Sequence, residues 1–135
     1  MSRFGRFVGE GRGMGAQAMD RAAAGRFVEA WCANWCKVDI DAVVSHLAAE
    51  AEMRSPLALK LTGSPVVAGA ENIRAYWRKA YGHVASADLK ILSWSWDAAI
   101  ARLTVWWQLG DARASEFMDF DHAGRVARSE AFYGK

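Results

Sequence analysis

The stretch LTVWWQLGDARASEFMDF, residues 103–120, alternates apolar and polar side chains on both sides of a Gly-Asp pair. A period of two is typical of half-buried strands, and a two-residue turn at Gly110-Asp111 joins the two strands as an antiparallel hairpin. This turn places Val105 directly opposite Glu116. One face of the hairpin is therefore predicted to be apolar, with a single carboxylate at its centre.

The same alternation extends the hairpin to a four-stranded meander. The predicted strands are residues 89–96, 100–109, 113–120 and 126–133. The first and last strands add these side chains to the apolar face: Leu92, Trp94, Trp96, Ala127, Ser129, Ala131 and Tyr133. The opposite face carries Trp106 and Phe117, and aromatic side chains on a sheet surface favour a subunit contact.

The residues before the meander have helical periodicity instead. Apolar side chains at steps of three and four predict a first helix over residues 20–37, with Asp20 as its N-cap. Asp39 is expected to cap a short second helix, with Leu47 on its inner face.

A third helix follows an irregular stretch. Its inner stripe contains Ile73 and Trp77, and it is predicted from residue 69 or 70 to about residue 82. The stretch before it is predicted as a strand over 51–55 stopped by Pro56, a loop over 57–64, and a short extended piece over 66–68. Three helices followed by a meander indicate an α+β fold.

Length and charge indicate one neutral domain. The chain has 135 residues, and we expect residues 20–135 to form that domain and residues 1–19, rich in Gly and Arg, to be a disordered tail. The tail carries three Arg and one Glu, whereas the rest carries 14 basic and 14 acidic side chains. The net charge of +2 thus belongs to the tail, and no nucleic-acid partner is predicted. A tail that touches RNA or anionic lipid is the alternative.

Several classes of protein and site are not indicated. No apolar run reaches the roughly 18 residues of a membrane helix, and residues 1–19 lack the apolar core of a signal peptide. We therefore expect a cytoplasmic protein with no membrane partner. Cys32 and Cys36, four residues apart on a predicted helix, are expected to be buried, inert thiols. Because no metal-ligand spacing, phosphate loop or hydrolase triad is present, no metal or other cofactor is predicted.

Three stretches contain an ordered set of short motifs. They are FVEAWCANWCKVDIDAVVSHLAAEAEMRSPL (27–57), GAENIRAYWRKAYG (69–82) and EFMDFDHAGRVARSEAFYG (116–134). An Asp opens the second helix, Ser-Pro ends the first strand, Tyr-Trp lies in the third helix, and Phe-Asp-x-x-Gly-Arg lies in the last hairpin. Their order and spacing resemble the SnoaL-like branch of the nuclear transport factor two-like superfamily.

The resemblance implies a cone-shaped α+β fold. A curved, mixed or antiparallel sheet would wrap around three N-terminal helices and hold a pocket in its concave face. It also implies a homodimer formed through the outer sheet face, where Trp106 and Phe117 lie. Because the superfamily includes ketosteroid isomerase, polyketide cyclases and dehydratases, the fold does not by itself give an activity.

The resemblance also assigns positions to the site. Ketosteroid isomerase uses a carboxylate base, a tyrosine and a neutral carboxylic acid. The resemblance places Ser55 at the base, Trp31 at the tyrosine, Trp77 at a supporting tyrosine and Glu116 at the acid. An alcohol cannot replace a carboxylate as a base near neutral pH, so steroid-type isomerisation is disfavoured.

Glu116 is the predicted catalytic residue, because burial in an aromatic pocket would raise its pKa and suit it to proton transfer. The alternative is a structural carboxylate that is hydrogen-bonded to Ser129 or paired with an inward Arg. The predicted ligand-binding residues are Trp31, Trp35, Ser55, Trp77, Trp107, Met118, Ser129 and Tyr133. Each also has a structural interpretation, either as core packing or as a satisfied hydroxyl.

Two functions follow from these residues. The first is a homodimer that binds a small apolar molecule and catalyses acid–base chemistry of the isomerase, cyclase or dehydratase type through Glu116. The alternative is a non-catalytic homodimeric binding or assembly module, with Trp side chains filling the cone. The volume of the cavity distinguishes them, since roughly 300 Å³ or more favours ligand binding.

Overall fold

The computed structural model describes residues 19–134. The elements are α1 Arg21–Cys36, α2 Ile40–Val44, β1 Leu47–Arg54, α3 Pro56–Thr62, β2 Val66–Ala68, α4 Ala70–Tyr81, β3 Leu89–Asp97, β4 Arg102–Leu109, β5 Ala112–Phe120 and β6 Val126–Tyr133. The α+β class is therefore confirmed. The predicted tail of residues 1–19 lies, apart from Met19, outside the described residues, so the domain boundary stays a prediction.

The sheet has six strands in the order β2-β1-β6-β5-β4-β3. It is mixed, because β1 runs parallel to β6 while every other neighbouring pair is antiparallel. The hairpin register is the predicted one: Val105 lies opposite Glu116, and Gly110 takes a positive φ of 59° in the turn.

Two bulges change which side chains face inward. In β3 the register shifts between Ile91 and Ser93, so Leu92 is an extra residue and its side chain is 49% exposed. In β6 the shift lies beside Val126, whose buried side chain takes the inward place expected for Ala127. The inward assignments of Leu92 and Ala127 were therefore wrong.

The first two helices begin at their expected caps. Asp20 accepts a hydrogen bond from the backbone N–H of Ala23, and Asp39 accepts one from that of Ala42. The second helix, however, ends at Val44. Leu47 is the first residue of β1, which begins four residues before the predicted strand. The assignment of Leu47 to a helix was therefore wrong.

The predicted loop over residues 57–64 is mostly a helix. Ser55 caps α3, Pro56 occupies its first turn, and Gly63 follows it with a positive φ of 85°. Pro near the start and Gly just past the end are favoured by helix geometry. The three Leu residues of PLALKLT alternate with other residues, so their spacing lacks helical periodicity and hides a helix that its two ends specify.

The core lies between the helices and the concave face of the sheet. Its main cluster joins Phe27, Val28 and Trp31 of α1 to Leu103 and Val105 of β4. Trp94 and Trp96 are partly buried and pack against this cluster, as expected. None of the helices formed by residues 19–134 has the length and apolarity needed to cross a membrane.

Candidate functional site

A cavity of about 460 Å³ opens between the helices and the concave face of the sheet. Its walls come from α1, α4 and strands β4 to β6, and the segment after α4 contributes the rim. That segment is fixed by two backbone hydrogen bonds, from Val84 to Tyr81 and from Ala87 to Cys36, each 2.9 Å. The volume exceeds the threshold of roughly 300 Å³ set above for a ligand pocket.

Glu116 lies on β5 with its carboxyl group inside this cavity. Val105 and Ala131 lie opposite it on the two neighbouring strands, so its surroundings within the sheet are apolar. Burial disfavours the charged carboxylate and raises the pKa of Glu116 to about 7. A carboxyl group with this pKa can either donate or accept a proton near neutral pH.

Trp107 holds this carboxyl group in place. Its indole N–H donates to Oε1 of Glu116 at 3.2 Å, and this contact opposes the effect of burial on the pKa. The side chain of Trp107 is buried, and its ring meets that of Tyr133 edge-on, with centroids 5.9 Å apart.

Neither structural alternative for Glu116 matches this arrangement. Ser129 lies opposite Met118, not opposite Glu116, because the β5–β6 register places Ala131 there. Among residues 19–134, the hydrogen bond recorded for the Glu116 carboxyl comes from Trp107, and no Arg, Lys or His belongs to the cavity lining.

Ser55 lines the cavity but has a structural task. Its Oγ accepts a hydrogen bond of 3.0 Å from the backbone N–H of Ala58 and thereby caps α3. A further hydrogen bond links the side chains of Ser55 and Tyr76. The position that resemblance assigns to the base is thus occupied by a buried, satisfied hydroxyl, as its structural interpretation expects.

Aromatic rings from two helices form one wall. Trp35 of α1 meets Trp77 and Tyr81 of α4 edge-on, with centroids 5.1 Å and 5.4 Å away. Trp31 is buried and lines the same cavity. Ser129 and Tyr133 also lie in the lining. Met118 does not, because it is packed in the core cluster with 2% exposure, so its assignment to the ligand site was wrong.

The sequence interpretation missed Tyr76 and Tyr81. The chain has three Tyr residues, Tyr76, Tyr81 and Tyr133, and all three line the cavity. Burial raises the pKa of each phenol, and the nearby charge of Glu116 also raises the pKa values of Tyr81 and Tyr133. Tyr76 follows the inner residue Ile73 by three positions, so helical spacing already contained the signal that it faces inward.

The two cysteines are half-buried and free. Both thiols, Cys32 and Cys36, donate to the backbone oxygen of Leu89 at 3.5 Å. Burial raises the pKa of Cys32. Within residues 19–134, no group of three or more His, Cys, Asp or Glu side chains is arranged to hold a metal ion.

Comparison with known proteins gives the fold. A SnoaL-like protein of unknown function from Burkholderia thailandensis superposes with a TM-score of 0.80 and 25% identity, over 88% of this chain and 100% of that one. The chain has the SnoaL-like fold of the nuclear transport factor two-like superfamily. The resemblance drawn from its motifs is therefore confirmed.

Two further structures are similar to this chain. A protein of unknown function with a cystatin-like fold from Methylobium petroleophilum has a TM-score of 0.72 and 22% identity, over 87% of this chain and 80% of that one. The epoxide hydrolase/cyclase-like enzyme SalBIII, with a role in pyran ring formation in salinomycin, has a TM-score of 0.64 and 14% identity, over 85% of this chain and 93% of that one. Protein-family models and curated proteins yield no match to this chain.

Proposed function

We propose that this protein binds a largely apolar small molecule in the cavity and that Glu116 exchanges a proton with it. One observation carries the proposal: a carboxyl group with a pKa of about 7 lies in an aromatic cavity of about 460 Å³. Perturbed carboxyl groups in clefts are typical of catalytic acids and bases. Isomerisation, cyclisation and dehydration each involve proton transfers of the kind that such a group can perform.

The ionisable side chains of the cavity suit proton transfer. Near pH 7 both forms of Glu116 are populated, which suits a general acid or base. The phenols of Tyr81 and Tyr133 have raised pKa values and stay protonated, so they can donate hydrogen bonds to a developing oxyanion. Since Ser55 is committed to a helix cap, Glu116 is the base in this proposal.

The proposal is tested with 1-tetralone, an apolar ketone with exchangeable protons beside its carbonyl group. In D₂O the wild-type protein is expected to accelerate deuterium uptake at that carbon, as followed by NMR. Glu116→Gln should lose that acceleration by about 10² or more. Glu52→Gln, on an exposed position of β1, is the control and should keep it. No acceleration by the wild-type protein would contradict the proposal.

A second proposal concerns the outer face of the sheet, where we infer a homodimer contact. Trp106 and Phe132 are 42% and 48% exposed and both align with Ser115 of β5, so they form one apolar patch. Phe117 adjoins it under the guanidinium of Arg102, 3.9 Å from the ring centroid. A dimer with no proton-transfer activity would be the binding or assembly module.

A cytoplasmic location stays a prediction of the sequence.

Sedimentation velocity tests the contact. The wild-type protein is expected to sediment as a dimer and Trp106→Lys as a monomer. Leu92→Lys, at the exposed bulge of β3, is the control and should remain dimeric. A wild-type protein that stays monomeric at all concentrations contradicts the homodimer.

A further inference from the structure

The charge of the cavity lining is one-sided. The lining contains two carboxylates: Glu116 in its interior, and Asp88 in the rim segment, which is exposed and pairs with Lys90, outside the lining, at 4.0 Å. No Lys, Arg or His belongs to the lining, all of which lies within the described residues. The remaining ionisable groups there are the phenols of Tyr76, Tyr81 and Tyr133, whose pKa values are raised. An anionic ligand would meet no opposite charge in this cavity.

Aromatic rings make up a large part of the same lining. They are Trp31, Trp35, Tyr76, Trp77, Tyr81, Trp107 and Tyr133. The Trp35–Trp77 and Trp107–Tyr133 pairs are nearly perpendicular, with interplanar angles of 85° and 89°, so the rings border the cavity in different orientations. The face of an aromatic ring is electrically negative and attracts cations, and cages of such rings bind quaternary ammonium groups.

Glu116 has an oxygen available to a ligand. Trp107 donates to Oε1, whereas Oε2 has no hydrogen-bond partner among residues 19–134. Oε2 is also not among the fully buried polar atoms left unpaired in the described part of the chain, so it keeps contact with the cavity space. A ligand in the cavity can therefore reach one oxygen while Trp107 holds the other.

We propose that the cavity selects a hydrophobic monocation, an amine or ammonium on an apolar body, whose charge pairs with Oε2 of Glu116 among the aromatic rings. This deepens the proposed function, because it rests on the cavity being a ligand site and names the ligand class. A carboxylate in apolar surroundings is destabilised by lost hydration, and a ligand cation restores a partner to it. A neutral ligand of the same shape offers neither that ion pair nor cation–π attraction.

Two probes of matched shape test the inference: phenyltrimethylammonium and tert-butylbenzene, in which carbon replaces the charged nitrogen. Binding to the full chain is measured by calorimetry or NMR at pH values from 5 to 8. We expect the cation to bind about tenfold or more tighter than the neutral probe above pH 7. Its affinity should rise with pH through the titration of Glu116, because the quaternary nitrogen does not titrate.

Two variants locate the effect. Glu116→Gln should abolish the preference for the cation and its pH dependence, while Glu52→Gln, which removes an exposed carboxylate outside the lining, should leave both in place. If Glu116→Gln keeps the preference, the assignment to Glu116 is overturned.

The two probes also separate this inference from the proposed function. If tert-butylbenzene binds as tightly as the cation, the ligand class is wrong while the cavity stands as a ligand site. If neither probe binds, the ligand class is wrong, and deuterium uptake by 1-tetralone decides separately whether the proposed function stands.

Discussion

Trp107 and Glu116 lie diagonally on neighbouring strands, and the indole N–H of Trp107 donates to Oε1 of Glu116 at 3.2 Å. Two opposing effects meet at this contact. Burial raises the pKa of Glu116, while the indole hydrogen bond stabilises the carboxylate and lowers it. The first effect is the larger, and the pKa settles at about 7.

Glu116→Gln is expected to change the pH dependence of stability. The folded chain holds the Glu116 proton up to a pKa of about 7, whereas the unfolded carboxyl titrates near 4.5, so ionisation disfavours the native state. Wild-type stability should fall as pH rises from about 4.5 to 7, by up to about 3 kcal/mol. Urea unfolding should show Glu116→Gln lacking this fall and exceeding the wild type at pH 8. Glu52→Gln is the matched control, and an unchanged pH profile in Glu116→Gln would argue for a satisfied, ionised carboxylate.

Trp107→Phe should raise the pKa of Glu116 further. The substitution keeps an aromatic ring in the core but removes the indole N–H that stabilises the carboxylate. A hydrogen bond to a charged group corresponds to about one pKa unit, so a rise of that size is expected. Carbon-13 NMR of the Glu116 carboxyl measures it directly. Trp77→Phe, which removes an indole from the same cavity, should leave the pKa unchanged, and equal shifts in both variants would contradict the prediction.

Ser55→Ala should destabilise the fold through the helix cap. The substitution leaves the buried N–H of Ala58 without its acceptor, at a cost of about 1–2 kcal/mol in the free energy of unfolding. Ser55→Thr keeps the hydroxyl and should retain most of the stability. Ser129→Ala removes another hydroxyl from the cavity without touching a cap, and urea unfolding should place it closer to the wild type. A Ser55→Ala variant as stable as the wild type would show that the cap contributes nothing to the free energy of unfolding.

Ala101→Gly should stabilise the protein. Ala101 has a positive φ of 52° before β4, a conformation that costs a residue with a Cβ about 1 kcal/mol and glycine almost nothing. Thermal or urea unfolding should therefore show a gain smaller than this, because glycine also removes the packing of the Ala101 Cβ against the core cluster and adds freedom to the unfolded chain. Ala99→Gly in the same turn is the control: Ala99 is not among the positive-φ residues, so the extra backbone freedom should lower stability. A loss in both variants would mean that the strain at residue 101 is smaller than the packing and unfolded-state terms that oppose it.

Strand alternation is a local signal, and it predicted the hairpin well. Side chains of a strand point alternately to opposite faces, so the turn at Gly110 was enough to place Val105 opposite Glu116. The same rule failed at Leu92 and Ala127. A bulge adds one residue to one strand, so the alternation on its two sides is out of phase, and the sequence of a single strand does not reveal where its partner has fewer residues.

The helix α3 was missed for a different reason. Its signals are at its two ends, the cap Ser55 with Pro56 in the first turn and Gly63 after the last turn, whereas its interior lacks helical spacing. The cap signals at its ends predict this helix where the periodicity of its interior does not. Met118 was misplaced because an inward side chain on a concave sheet can lie either in the cavity or in the core, and only packing distinguishes them.

The sequence by itself determined the α+β class, the caps of the first two helices and the inward direction of Glu116, since each of these depends on neighbours within a few residues along the chain. The tertiary structure decided what surrounds that carboxyl group. Trp107 and Glu116 meet across two strands, and Tyr81 and Tyr133 come from a helix and a strand about fifty residues apart. A pKa depends on burial and on groups in space, so the chemistry of Glu116 is a property of the folded cavity and not of the residue alone.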